Sequence, residues 1–146
     1  MQINTTRFGT VELLPEDILL FPAGLFGFED ALHWVLLGDA ENESLAWLQS
    51  VSNPDLALPV VSPRRFAPDY QVRVPKSQLL PLQFGAFDQA YVLGIVGKDE
   101  YGLTLNLKAP LVINLDRRIG RQVITSDDQP LQYALYDKPR ELRKSA

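Results

Sequence analysis

Prolines and glycines interrupt this chain so often that it cannot form long regular elements. Eleven prolines and nine glycines are spread over 146 residues. Proline fixes φ and removes a backbone donor, and glycine favours turns. Between them lie short apolar or alternating runs, which are typical of strands in barrels and sandwiches. The sequence therefore predicts an all-β fold. Helical patterns are absent between the strands, so nothing in the sequence points to a parallel sheet with crossover helices.

The predicted strands fill most of the chain and are joined by turns. They lie at residues 3–7, 11–14, 18–21, 34–38, 46–51, 56–61, 89–96, 103–107, 111–115 and 121–125. Pro59 falls within one of them and is expected at an edge or a bulge. Single helical turns are expected at 29–32 and at 78–80, the second capped by Ser77. Residues 1–130 are thus predicted to form one barrel-like domain, and residues 131–146 a helical or flexible basic tail.

Charge is distributed unevenly between the two halves of the chain. Residues 1–63 carry one base, Arg7, and nine acids, a net charge of −8, whereas residues 64–146 carry thirteen bases and nine acids, a net charge of +4. An acidic surface repels phosphate backbones, which disfavours direct nucleic-acid binding through the first half. Such a surface also favours encounter with a basic partner. We therefore expect partner binding in the first half.

Cysteine is absent from the sequence, which excludes disulfides and cysteine-bound metals. The first twenty residues lack the pattern of a signal peptide, and every apolar run is too short to span a bilayer. An apolar content of 46% with 22% charged residues is typical of a globular core. We expect a cytoplasmic protein without membrane contact.

The sequence contains no recognisable set of catalytic residues. His33 is the single histidine, and neither a Gly-x-Ser-x-Gly elbow nor a phosphate-binding glycine loop is present. Adjacent acids such as Glu16-Asp17 are typical of turns. The basic cluster Arg117, Arg118 and Arg121 is the best anion candidate, and it keeps two alternatives open: an FMN-binding split barrel and a nucleic-acid-binding barrel. The main prediction is a protein that is not an enzyme and has no cofactor.

Two segments of the first half are candidates for contact with a partner. Residues 22–29 are too rich in glycine and proline for a regular element, yet they contain Leu25, Phe26 and Phe28, which can anchor a loop inward or line a groove. Residues 52–55 form a polar turn signal, and Asn53 and Asp55 are the more exposed residue types there.

Several blocks, in the same order, resemble the family of flagellar assembly factors called FliW. The blocks are F-P-A-G-L-F-G-F-E at 21–29, A-W-L-Q-S-V at 46–51, N-P-D-L-A-L at 53–58, P-D-Y at 68–70, L-N-L-K-A-P-L-V-I-N at 105–114 and G-R-Q-V at 120–123. The resemblance covers about residues 3–125. One departure is Leu58-Pro59, where the family more often has an aromatic residue and no proline.

The resemblance implies an antiparallel pseudo-barrel of short strands capped by short helical segments, without catalysis. It also implies binding to flagellin in the cytoplasm and to the translational regulator CsrA, whose repression of flagellin mRNA is thereby relieved. A basic RNA-binding protein such as CsrA complements the acidic first half. The candidate partner-binding residues are Gly24, Leu25, Phe26, Phe28, Glu29, Asn53, Pro54, Asp55 and Leu56.

Overall fold

The computed structural model describes residues 1–137, and most of its regular structure is β-sheet. The strands are β1 Gln2–Thr5, β2 Gly9–Glu12, β3 Leu19–Leu20, β4 His33–Gly38, β5 Ala46–Ser50, β6 Ala57–Val61, β7 Ala90–Lys98, β8 Leu103–Leu105, β9 Leu111–Asn114, β10 Ile119–Gln122 and β11 Tyr133–Ala134. The helical segments are short: α1 spans Lys76–Leu79, and three-residue 3-10 turns occur at Pro15–Asp17, Pro63–Arg65 and Leu80–Leu82.

Seven of these strands close into a ring by backbone pairing. The order is β7-β6-β5-β4-β3-β10-β9, and β9 pairs back onto β7. Neighbours in the ring are antiparallel except β3 and β10, which are parallel at Leu20 and Ile119. Strands β8 and β11 extend the sheet from β7, and β1 and β2 form a separate hairpin. The prediction of an all-β pseudo-barrel with short helical segments is confirmed.

The inward faces of the ring form the main core. Because successive side chains of a strand point to opposite faces, alternate apolar residues of the ring strands meet inside it. The buried members of this core are Leu19, Phe21, Leu25, Trp34, Leu48, Val60, Leu93, Leu111 and Ile113. Outside the ring, Ile3 and Leu13 of the hairpin region pack on Val35 of β4. The hairpin thus covers the outer face of β4.

Three connections meet at one end of the ring, which we call the loop end. It comprises residues 21–32, which join β3 to β4, residues 51–56, which join β5 to β6, and residues 106–110, which precede β9. Strand β4 begins where β5 ends, and the N–H of Val51 donates to the carbonyl of His33 at 2.9 Å. The connections 39–45 and 115–118 lie at the opposite end.

Two helical predictions are wrong, and a third is confirmed except for its cap. Residues 29–32 form a turn and irregular chain rather than a helical turn, and the carbonyls of Ala31 and Leu32 accept from the Trp34 indole and the Phe21 N–H instead. The helical turn predicted at 78–80 is confirmed, because α1 ends at Leu79 and a 3-10 turn begins at Leu80. Its predicted cap is wrong: Ser77 lies inside α1, and Pro75 precedes the helix without a side-chain cap. Tyr133–Ala134 is a strand that pairs with β8, so the predicted tail helix is absent from residues 131–137. The rest of the predicted tail, 138–146, lies outside the described residues.

Pro59 lies in an interior strand of the ring rather than in an edge strand, but the stretch of β6 that contains it has no partner in β7. It is opposite Trp47 in the antiparallel β5–β6 pair. The N–H of Ser50 donates to Leu56, and alternation along the ladder then places Pro59 at a non-hydrogen-bonded position towards β5. Pairing of β6 with β7 covers only Val60 and Val61. Proline lacks a backbone N–H, but neither β5 nor β7 offers an acceptor for an N–H at this position, so the strand continues through Pro59 without losing a hydrogen bond.

Candidate partner-binding surface

The aromatic loop, residues 24–29, is a tight turn whose path depends on two glycines. Gly24 is buried with a φ of +66°, and a Cβ there would lie 2.6 Å from the Cα of Glu29. Leu25 and Phe28 exchange backbone hydrogen bonds of 2.8 and 3.3 Å, and Gly27 completes the turn with a φ of +87°. Glycine adopts such angles without strain, so these two positions fix the shape of the loop.

The three apolar side chains of this loop have different surroundings. Leu25 is fully buried in the main core. Phe26 and Phe28 lie on the surface, with exposed fractions of 53% and 39%. The inward anchor expected from the sequence is therefore Leu25 alone. The two phenylalanines instead offer apolar area at the loop end, which is a common property of contact surfaces.

The 53–56 turn is attached to the hairpin as well as to its own strands. The N–H of Thr6 donates to the carbonyl of Pro54 at 2.9 Å, and the Thr6 hydroxyl donates to the carboxylate of Asp55. Asn53, Pro54 and Asp55 are exposed, whereas Leu56 is half-buried against the main core. Leu25 and Leu56 thus anchor the two candidate segments in one core, at one end of the ring.

Gln49 is a structural determinant of this turn that sequence reasoning missed. Its side chain is fully buried in β5. Its Nε2 lies 3.0 to 3.4 Å from the carbonyl oxygens of Ser50, Asn53, Pro54 and Leu56. A single amide therefore gathers the carbonyls of the 53–56 turn. The available signal was a glutamine in a predicted strand whose other residues, apart from Ser50, are apolar.

Gln122, at the end of β10, makes the corresponding contacts with the aromatic loop. Its Oε1 accepts from the N–H of Phe26 at 2.9 Å, and its Nε2 donates to the carbonyl of Ala109 at 3.0 Å. The adjoining segment is itself fixed, because Lys108 donates from Nζ to the carbonyls of Thr125 and Asp127, both at 2.8 Å. The aromatic loop is thereby connected through Gln122 to the 106–110 segment, which is in turn fixed to residues 125–127.

The nine acids of the first half do not form one face. The loop end carries Glu29, Asp30 and Asp55, while Glu12, Glu16, Asp17, Asp39, Glu41 and Glu43 lie towards the opposite end. The base of that half is also committed to a contact, since the guanidinium of Arg7 stacks 3.8 Å from the ring centroid of Trp47. The indole donates to Asp39 at 3.1 Å and holds the pKa of that carboxyl below its ordinary range.

The structure separates the remaining residues of chemical interest. Arg121 donates to the carbonyl of Gln78 at 2.8 Å, and Arg117 faces Asp88 at 3.9 Å. The basic cluster therefore points to different neighbours. His33 is exposed at the start of β4. Within residues 1–137, no group of three or more histidine, aspartate or glutamate side chains is arranged to hold a metal ion.

No helix in the described part of the chain is long and apolar enough to cross a membrane. The fold and the loop end define the class of this protein: a small all-β ring that presents two hydrogen-bonded turns, one aromatic and one polar, at the same end.

Comparison with known proteins places the chain within this class. The family model described as FliW protein matches residues 2–135, and the chain belongs to the FliW family of flagellar assembly factors. It is 44% identical to the flagellar assembly factor of Bdellovibrio bacteriovorus over 130 residues, covering 88% of this chain and 74% of the relative. The protein of that name from Thermoanaerobacter pseudethanolicus is 35% identical over 134 residues, covering 90% and 89%.

A solved structure supports the same relationship. A crystal structure of the flagellar assembly factor FliW superposes with a TM-score of 0.86 at 30% identity, covering 94% of this chain and 98% of the other. The barrel described above is therefore the fold of that family.

Proposed function

We propose that this protein acts in the cytoplasm by binding rather than by catalysis. It binds flagellin, and it binds the translational regulator CsrA and opposes its RNA binding, which relieves repression of flagellin translation. Membership of a family of flagellar assembly factors supports the process. One observation carries the proposal. Three separate blocks of the family resemblance each contribute a segment to the loop end: 21–29, 53–58 and 105–114.

The exposed phenylalanines support a contact with flagellin. Phe26 and Phe28 project from a turn held by Gly24 and Gln122. An amphipathic helix docks by inserting its apolar stripe against such a surface. Because the turn is already fixed in the free protein, little conformational entropy is lost when the helix binds.

Electrostatics supports a contact with CsrA. A protein that holds RNA presents basic residues, and acids at a rim raise the rate of encounter more than the final affinity. Asp30 and Glu29 are exposed beside the phenylalanines. Acidic charge brought close to an RNA site also repels phosphate within about one Debye length, roughly 8 Å at physiological salt.

Binding of purified flagellin monomer and purified CsrA, measured by calorimetry and surface plasmon resonance, tests the proposal. Phe26→Ala combined with Phe28→Ala should weaken flagellin binding at least tenfold, since central aromatic anchors contribute about 2 kcal/mol or more. The matched control is Phe87→Ala, which removes a phenylalanine that is 98% exposed at the opposite end and should leave binding unchanged.

Charge reversal supplies the second arm of the experiment. Asp30→Lys should slow CsrA association, and the effect should shrink as salt is raised. Glu43→Lys makes the same change in charge at the opposite end and serves as its control. Failure of the unmodified protein to bind either partner at low salt would reject the proposal. Equal effects of Asp30→Lys and Glu43→Lys would instead reject the loop end as the CsrA contact.

A further inference from the structure

The buried side chain of Gln122 links an exposed contact residue to the body of the ring. Its exposed fraction is 7%, and both polar atoms of its amide are used. The acceptor meets the N–H of Phe26, which is 96 residues away in the chain, and the donor meets the carbonyl of Ala109. No other side-chain hydrogen bond to the backbone of Phe26 occurs among residues 1–137.

We propose that Gln122 is a positioning residue for partner binding: it fixes the backbone of Phe26, and through it the direction of the exposed ring. This inference rests on the proposed function, because it assumes that Phe26 meets a partner. It concerns a residue that itself lies below the surface and touches no partner.

The turn geometry shows why this one bond matters. Phe26 and Gly27 occupy the two central positions of a turn closed by Leu25 and Phe28. The N–H of Phe26 is not used by that closure, so it needs an acceptor from elsewhere. An unpaired amide would turn towards water, and the ring on the same residue would move with it.

The opposite end of the same strand pair offers a matched buried amide. Asn114 is fully buried and donates from Nδ2 to the carbonyl of Leu82 at 2.9 Å and to Asp88 at 3.2 Å. It is paired with Ile119 at the start of β10, whereas Gln122 ends that strand, about 10 Å further along. Loss of Asn114 therefore perturbs the barrel without touching the aromatic loop.

A double-mutant cycle with purified flagellin monomer tests the proposal. Gln122→Met keeps the length and burial of the side chain but removes both hydrogen bonds. It should weaken flagellin binding about tenfold in the unmodified background and less than about twofold in the Phe26→Ala background. The control Asn114→Leu should lower the urea midpoint yet leave flagellin binding within about twofold of the unmodified protein.

Amide exchange in the free protein supplies a readout that does not depend on any partner. The N–H of Phe26 should exchange faster in Gln122→Met and at its original rate in Asn114→Leu. If Gln122→Met does not fold, Gln122→Asn serves as the second variant, because its shorter amide cannot reach both partners, and the same pattern is expected.

The outcomes separate the two proposals. Additive effects of Gln122→Met and Phe26→Ala, or unchanged exchange at Phe26, overturn the role of Gln122. If the unmodified protein does not bind flagellin, the proposed function fails and so does the role of Gln122 in binding, while exchange at Phe26 still reports whether Gln122 holds the loop. Coupled losses together with faster exchange support both proposals.

Discussion

Replacement of Gly24 by alanine is the sharpest test of how the aromatic loop is built. Gly24 has a φ of +66°, and an added Cβ would lie 2.6 Å from the Cα and carbonyl oxygen of Glu29. These are backbone atoms, so the conflict cannot be relieved by rotating a side chain. Gly24→Ala therefore combines an unfavourable backbone angle with overpacking.

Gly27 provides the matched comparison within the same loop. Its φ is +87°, but nothing lies within 4 Å of an added Cβ. The angle costs an alanine about 1 to 2 kcal/mol, and the lower entropy of the unfolded chain offsets about 0.4 to 1 kcal/mol of that cost. Gly27→Ala should therefore lower the free energy of unfolding by about 1 kcal/mol.

Gly24→Ala should lower the free energy of unfolding by about 3 kcal/mol, because overpacking adds roughly 1 to 3 kcal/mol to the same cost of a positive φ. With a denaturant slope of about 2 kcal/mol per molar urea, its unfolding midpoint should be about 1 M below that of Gly27→Ala. Urea unfolding followed by circular dichroism measures both midpoints. Equal midpoints for the two variants would refute the close approach of Gly24 to Glu29.

Three further predictions concern stability. Gly120→Ala would place a Cβ 2.4 Å from the ring of Phe21, which is fully buried. It should lower the free energy of unfolding by about 2 kcal/mol, or the melting temperature measured by calorimetry by about 7 °C. An unchanged melting temperature would contradict this packing. Gln49→Met should lower the free energy of unfolding by about 1 kcal/mol and speed amide exchange in the 53–56 turn. Exchange as slow as in the unmodified protein would show that the turn does not depend on Gln49. The hydroxyl of Tyr136 donates to Asp99 at 2.5 Å, which raises the pKa of Tyr136 to about 12 and lowers the pKa of Asp99. The stability that this bond contributes is therefore present between pH 3.8, the ordinary pKa of an aspartate, and about pH 10, the ordinary pKa of a tyrosine. It is lost at low pH as the pH falls through the lowered pKa of Asp99, and at high pH as it rises towards the Tyr136 pKa of about 12. The urea midpoints of the unmodified protein and of Tyr136→Phe should converge outside that window, and a constant difference would exclude the bond as its cause.

Local chemistry explains which parts of the fold could be predicted. The hairpin of β1 and β2 forms around Gly9, whose φ is +69°, as the alternating residues on either side indicated. The run that becomes β7 is rich in β-branched and aromatic residues, which favour strands. In each case the signal lies within a few residues of the feature that it predicts.

Pairing between distant segments explains most of what could not be predicted. Tyr133–Ala134 is too short a strand to have a periodic pattern, and it exists because β8 offers it a free edge. Pro59 can remain within a sheet because β7 pairs with β6 only from Val60 onward. Neither partner is visible in the local sequence.

The candidate site shows the same division. The aromatic loop and the 53–56 turn were identified from their residues, because glycine and proline exclude a regular element there. The sequence could not tell Leu25 from Phe26 and Phe28, because the direction of a side chain in an irregular loop depends on what packs beneath it.

By itself, then, the sequence determined the short strands, the places of the turns and the family, because proline, glycine and β-branched residues act on their own backbone and the family blocks stand in fixed order. Only the tertiary structure decided the closure of the ring by β9 on β7, the separation of the nine acids between two ends, and the roles of Gln49 and Gln122. These features depend on contacts between residues far apart in the chain, and such contacts exist only once the strands have paired.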